Sequence, residues 1–155
     1  MILLAHYIMR IQERRNAMAK YQKTKEEVNR FLEDVKAIIL KGTNLQINNK
    51  PWKGNRVNKT LTYMAETGIR LEDIKNVVYE LKLPNYSYTA DETNANFKEE
   101  QVWIFGITKN MVDKEEDLYI KLKIRVFEDK FLLIMSFHPE EPGVYNKKLE
   151  FPYKA

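Results

Sequence analysis

Tyr119, Lys121, Lys123 and Arg125 occupy every second position of the stretch LYIKLKIRV, residues 118–126. Successive side chains of an extended strand point to opposite faces, so these four share one face. Leu118, Ile120, Leu122, Ile124 and Val126 share the other. Such a strand seals a core on one side and offers a phenol and three cations on the other, with no carboxylate in the row. A second strand, Phe131–His138, follows beyond Glu128-Asp129. If Glu128-Asp129 is a two-residue turn, Phe127 pairs with Lys130, Val126 with Phe131, Ile124 with Leu133, Leu122 with Met135 and Ile120 with Phe137. That face is apolar throughout, and a slip of one residue sets Lys and Arg against it, which fixes the parity. On the cationic face the same register sets Arg125 opposite Leu132, Lys123 opposite Ile134, Lys121 opposite Ser136 and Tyr119 opposite His138.

A Tyr–His pair flanked by Lys and Arg suits acid–base chemistry on a phosphodiester. With a reference pKa of about 6.5, histidine gives or takes a proton near neutrality. Lys121, Lys123 and Arg125 are placed to hold phosphates and to offset charge that builds on the phosphorane. RNA carries its own nucleophile, the 2′-OH, so a site of this kind requires neither metal nor cofactor. Other chemistries find no support. The chain has no cysteine, which removes disulfides, thiolate metal sites and cysteine nucleophiles, and is compatible with a reducing cytoplasm. It contains no Gly-rich phosphate loop, no GxSxG, no HExxH and no metal-spaced cluster of His and carboxylates. Glu115-Glu116-Asp117 and Glu140-Glu141 read as solvated loop residues, and Trp103 and Phe105, alternating with Val102 and Ile104, as packing on both faces of a strand.

The elements that must carry this site can be read from periodicity. Thr24-Lys25-Glu26-Glu27 is a capping box, opening a helix with Val28, Phe31, Leu32, Val35, Ile38 and Ile39 on one stripe and Gly42 as its stop. Residues 43–57 form a turn-rich loop with a short strand at Leu45–Ile47. Asn58 caps a second helix, with Leu61, Met64 and Ala65 inward and Gly68 as its end. A third helix spans Leu71–Leu83, with Ile74, Val77, Val78 and Leu81 inward, and Pro84 ends it. Asn85–Gln101 is polar and turn-like. Strands follow at Val102–Thr108, Asp117–Val126 and Phe131–His138, with a short edge strand at Lys147–Phe151. Helices followed by strands predict an α+β domain, an antiparallel sheet packed with N-terminal helices. The 155 residues fit one domain, assigned to 24–155. Residues 1–23 are expected to form a helical extension. Its start, MILLAHYIM, is too short to span a bilayer, and Met9 or Met18 could equally begin the folded part.

Charge is unevenly distributed. Residues 1–60 hold 13 Lys/Arg against 5 Asp/Glu, and residues 61–155 hold 13 against 17. A basic half is compatible with a nucleic-acid partner and equally with a solvated helical surface rich in lysine.

The runs KEEVNRFLEDVKAII, NKTLTYMAETGIRLEDIKNVVYEL, NYSYTAD, VWIFG, LYIKLKI and MSFH, in this order over about residues 25–138, resemble the MqsR family of bacterial toxins. The sharpest parts are W-x-F-G at Trp103–Gly106, Y-[IL]-K-[LI] at Tyr119–Leu122 and S-F-H at Ser136–His138. The resemblance implies a RelE-like α+β fold, a metal-independent endoribonuclease that cuts mRNA, no cofactor, and a cognate antitoxin protein as partner. By position it makes Tyr119 and His138 catalytic and adds Tyr88 and Ser136 to the RNA-binding set of Lys121, Lys123 and Arg125. Two positions depart from the pattern: family members carry lysine near the place of Tyr88, and some carry glutamine where Ile104 stands. These departures frame the alternative expectation, a non-catalytic RNA- or partner-binding protein that keeps the fold.

Overall fold

A computed structural model describes residues 20–48, 58–92, 100–142 and 148–154. They form a mixed six-stranded sheet and three helices, an α+β architecture. In chain order these are β1 (Lys20–Tyr21), α1 (Lys25–Lys41), β2 (Leu45–Ile47), α2 (Lys59–Thr67), α3 (Leu71–Tyr79), a 3-10 turn at Leu83–Asn85, β3 (Tyr86–Asp91), β4 (Gln101–Met111), β5 (Lys114–Phe127) and β6 (Asp129–Pro139). The strand order is β1-β3-β4-β5-β6-β2. All neighbours are antiparallel except β2, which runs parallel to β6, so the sheet is mixed rather than antiparallel as expected. None of the helices is long and apolar enough to cross a membrane among the described residues.

The helix signals hold. Thr24 Oγ1 accepts the Glu27 N–H at 3.2 Å while Glu27 Oε1 accepts the Thr24 N–H at 3.0 Å, satisfying two N–H groups that the first turn of α1 leaves without partners. Gly42 and Gly68 take left-handed conformations, φ 77° and 75°, and close α1 and α2. The inner stripe of α1 lies on one face of the sheet, where Phe31 stacks on Trp103 at 4.2 Å between ring centroids. In α2 the inward residues are Thr60 and Tyr63 rather than Ala65, which is exposed. Helix α3 is shorter than its apolar stripe predicts, ending at Tyr79 with Leu81 still buried beyond it.

Four expectations about the strands are corrected. Tyr86–Asp91, read as a turn, is β3: a register shift between Tyr86 and Tyr88 breaks the alternation by which a strand is recognised. Glu115-Glu116-Asp117 lies within β5 rather than a loop, and Thr108 Oγ1 donates to Asp117 Oδ1 across the ladder. The described part of the expected edge strand, 148–151, is not a strand. Lys20 and Tyr21, assigned to a helical extension, pair with Ala90 and Thr89 as the edge strand β1. The remainder of that extension, 1–19, lies outside the described residues.

The β5–β6 register is half as predicted. Tyr119 pairs with His138, Ile120 with Phe137 and Lys121 with Ser136. Toward the turn the pairing is one residue tighter: Leu122 faces Ile134, Lys123 faces Leu133, Ile124 faces Leu132, Arg125 faces Phe131 and Val126 faces Lys130. Only Glu128, at φ 62°, spans the tip. Asp129 then draws the tip onto the end of α1, with Oδ2 accepting from Lys41 Nζ and Asn44 Nδ2, both at 2.7 Å. These donors and the Lys130 N–H hold its carboxyl down to about 2. A bulge at Met135 restores the parity, so Leu132 and Ile134 face inward instead of 131, 133 and 135, and Phe137 faces inward as expected. The run FLLIM is apolar at every position, and either parity buries a greasy face. Val126 and Phe127, expected inward and unassigned, are each 71% exposed.

Candidate active site

The face of β5 that turns away from α1 carries Tyr119 and Lys121, and its register partners extend the row across the sheet. Gly106 lies beside Tyr119, Ile104 beside Lys121, Tyr88 beside Ile104, and Lys20 beside Ala90 at the edge. Tyr119 and His138 are direct cross-strand partners, with ring centroids 5.3 Å apart and planes inclined by 20°. They line a cleft of about 920 Å³ together with Tyr88, Ser87, Lys20, Lys59 and Lys148. Of the residues singled out in the sequence, Tyr119, His138 and Tyr88 come together there; Lys121, Ser136, Lys123 and Arg125 are not in its lining.

Proton positions on the pair follow from its bonds. His138 Nδ1 lies 2.8 Å from the Pro139 carbonyl oxygen. A carbonyl can only accept, so Nδ1 carries the hydrogen, and in the neutral ring Nε2 is left with the basic lone pair. Burial pushes the His138 pKa below 6.5, with Lys59 acting in the same direction and the Pro139 and Glu141 interactions opposing. Burial and the hydrogen bond to Tyr88 push the Tyr119 hydroxyl well above its ordinary value of 10. At neutral pH the site therefore pairs an unprotonated imidazole with an intact phenol, a base and an acid whose titrations are driven apart.

The cations of the β5 row are differently placed from the expectation. Lys123 is 3% exposed, with Nζ 2.7 Å from Glu92 and 3.1 Å from Glu100. Arg125 grips Glu100 through Nε and Nη2, each at 3.0 Å to a carboxylate oxygen. No carboxylate interrupts the row from Tyr119 to Arg125, but the residues flanking β3 and β4 deliver two. Lys123 and Arg125, expected to bind RNA, are thus engaged by Glu92 and Glu100 and hold the ends of β3 and β4 to β5. Lys121 makes no hydrogen bond or ion pair with a described residue, and burial lowers its pKa. Among the described residues no group of three His, Asp or Glu side chains could hold a metal ion.

Three cleft lysines escaped sequence reasoning. Lys20 Nζ sits 4.5 Å from the centroid of the Tyr88 ring, a cation–π contact that positions both. Lys59 opens α2, and its ammonium lies 3.1 Å from the Glu141 carboxylate. Lys148 is brought in by the tail, which docks on the outer face rather than adding a strand. The Leu149 N–H donates to Glu140 Oε1, and Ser87 Oγ donates to the Glu150 carbonyl at 2.6 Å. Glu140, read as solvated, therefore holds the tail, while Glu141 is exposed as read and pairs with Lys59. The tail also explains Gly106: a Cβ there would come within 2.8 Å of Phe151 Cζ and 3.0 Å of Leu149 Cδ1. No local signal in the sequence marks these lysines, because each reaches the cleft from a different element. No protein-family model matches the chain, and no curated protein matches it significantly.

Proposed function

We propose that the chain is a metal-independent endoribonuclease in which His138 and Tyr119 manage the protons. The observation that carries this reading is the stacked Tyr119–His138 pair in a lysine-rimmed cleft, with Nδ1 committed to Pro139 and Nε2 left basic. His138 Nε2 takes the proton of a ribose 2′-OH, and the 2′-oxygen attacks the adjacent phosphorus. The bond to the 5′-oxygen breaks as Tyr119 gives its hydroxyl proton to that oxygen. Return of the proton from the imidazolium to the phenolate restores both side chains, leaving a 2′,3′-cyclic phosphate and a 5′-hydroxyl. The nucleophile belongs to the substrate, so the scheme uses no metal and no cofactor.

The resemblance to the MqsR family supports mRNA as the substrate, a RelE-like fold, and a cognate antitoxin protein that restrains a toxin acting in the cytoplasm. The test is cleavage of an end-labelled single-stranded RNA in EDTA. Wild type is expected to leave cyclic-phosphate ends and to arrest growth on induction. His138→Ala and Tyr119→Phe are each expected to lose roughly 10²–10⁴-fold in rate, the usual worth of a positioned acid or base. Intact RNA, or a His138→Ala variant as active and toxic as wild type, sinks the proposal. One observation favours a second reading, a non-catalytic RNA- or partner-binding protein: the Lys123 and Arg125 charges are already matched by Glu92 and Glu100. Salt-sensitive RNA binding without cleavage would support that reading instead.

A further inference from the structure

Lys59 stands where it does because its neighbours on both sides are tied to β6. The Phe137 N–H donates to Thr60 Oγ1 at 2.9 Å. On the other side Asn58, whose Oδ1 caps α2 by accepting the Leu61 N–H at 3.1 Å, donates Nδ2 to the Asn48 carbonyl at 3.2 Å. The Asn48 N–H in turn donates to the Ile134 carbonyl at 2.9 Å. The start of α2 is thus fixed against the strand that carries His138, and Lys59 lines the same cleft as His138 and Tyr119. Its partner Glu141 follows β6 and lines the cleft too. Both charges act on the imidazole, Lys59 disfavouring its protonation and Glu141 favouring it.

The cleft rim carries lysines at 20, 59 and 148 and glutamates at 140, 141 and 150. A rim so balanced attracts a polyanion poorly unless a carboxylate gives way. Glu140 is engaged by the Leu149 amide, which fastens the tail. The Lys59–Glu141 pair is solvent-exposed, its side chains at 47% and 64%. Exposed pairs of this kind contribute little to stability and are readily exchanged. The Lys123 and Arg125 pairs are far less exposed, and opening them uncovers desolvated charge.

We infer that Lys59 is the substrate-phosphate residue of this site and that Glu141 is its resident competitor. A phosphodiester oxygen of the RNA backbone takes the place of the Glu141 carboxylate on the Lys59 ammonium, beside the His138–Tyr119 pair. The assignment rests on the ribonuclease reading above and adds to it which cation meets the backbone and which group opposes binding.

A bracing role and a competing role leave opposite signatures. If the Lys59–Glu141 bridge only braces the fold, Lys59→Met and Glu141→Gln remove the same bridge and shift activity in the same direction. If Glu141 competes with substrate, Glu141→Gln lowers KM while Lys59→Met raises it roughly tenfold, the usual worth of a hydrogen bond to a charged group. The measurement is steady-state cleavage and anisotropy-detected binding of a fluorescein-labelled single-stranded RNA at pH 8, where His138 is neutral. Lys59→Met flattens the slope of log Kd against log salt by about 0.7, one single-strand phosphate contact. Lys59→Arg keeps KM near wild type, and the gain from Glu141→Gln vanishes in the Lys59→Met background. KM shifts of the same sign, or none, in variants of a wild type that does cleave RNA overturn the assignment and leave the ribonuclease standing. A wild type that neither binds nor cleaves RNA overturns both.

Discussion

His138 illustrates how little a residue type says before its bonds are known. Its Nδ1 is spent on the Pro139 carbonyl, and burial beside Tyr119 holds the ring neutral below the ordinary histidine pKa of 6.5. The sign of the resulting pH dependence follows. In the proposed mechanism the imidazole is the base, so activity requires its neutral form, and lowering its pKa moves the acid limb of kcat/KM below 6.5. At pH 6 cleavage is therefore expected to keep a larger share of its pH 8 rate than an unperturbed imidazole would allow. Tyr119 is the acid of that proposal, and its titration is moved above 10, so no alkaline limb is expected up to pH 10. A pH–rate profile checks both limbs; an acid midpoint above 6.5 contradicts the assignment of His138. The same displacement acts on stability. The unfolded chain takes up the His138 proton at a higher pH than the folded one, so this group's contribution is complete above 6.5 and is lost as the pH falls toward the lower, folded-state pKa.

Elements whose ends are chemically marked were legible in advance, and those whose ends are not were misjudged. The Thr24–Glu27 box, the Asn58 cap and the glycines at 42 and 68 act within one turn, so the sequence alone carries them. The β4–β5 hairpin lacks such marks. It turns at Val112–Asp113 with φ of 52° and 63°, although Val112 is β-branched and 60% exposed. Two-residue hairpin turns with positive φ favour Asn-Gly or Asp-Gly, and a β-branched residue there is strained. Val112→Asn is expected to stabilise the protein by roughly 1 kcal/mol, the lower end of the left-handed penalty. That corresponds to a melting point about 2–4 °C higher for a chain of this size, read by thermal denaturation followed by circular dichroism. The turn is remote from the cleft, so cleavage should not change. The β5–β6 tip was misjudged for a related reason. A tighter turn at Glu128 and a bulge at Met135 offset each other, which is why Tyr119 still meets His138 although the turn half of the register is displaced.

At the scale of the molecule, the Glu92–Lys123–Glu100–Arg125 network joins β3, β4 and β5 across the outer face. Removing one member of a buried ion pair leaves its partner uncompensated, so Lys123→Met is expected to destabilise the fold by about 3–5 kcal/mol. Lys121→Met, two positions away on the same strand face, removes a cation that burial already disfavours and is expected to be near neutral. Urea unfolding of the two variants separates them; equal midpoints would remove the structural role assigned to Lys123. Neither outcome could be anticipated from LYIKLKIRV, in which the two lysines look equivalent. By itself the sequence determined the caps of α1 and α2 and the alternation of β5, because capping and alternation are local rules, whereas Tyr119 meets His138 because the tighter turn at Glu128 and the bulge at Met135 cancel. Tertiary structure alone decided which cations are free to meet a ligand. Glu92 and Glu100 reach Lys123 and Arg125 from just beyond the ends of β3 and β4, while Lys20, Lys59 and Lys148 reach the cleft from an edge strand, a helix start and a docked tail. Charge pairing depends on distance in space, and separation along the chain does not encode it.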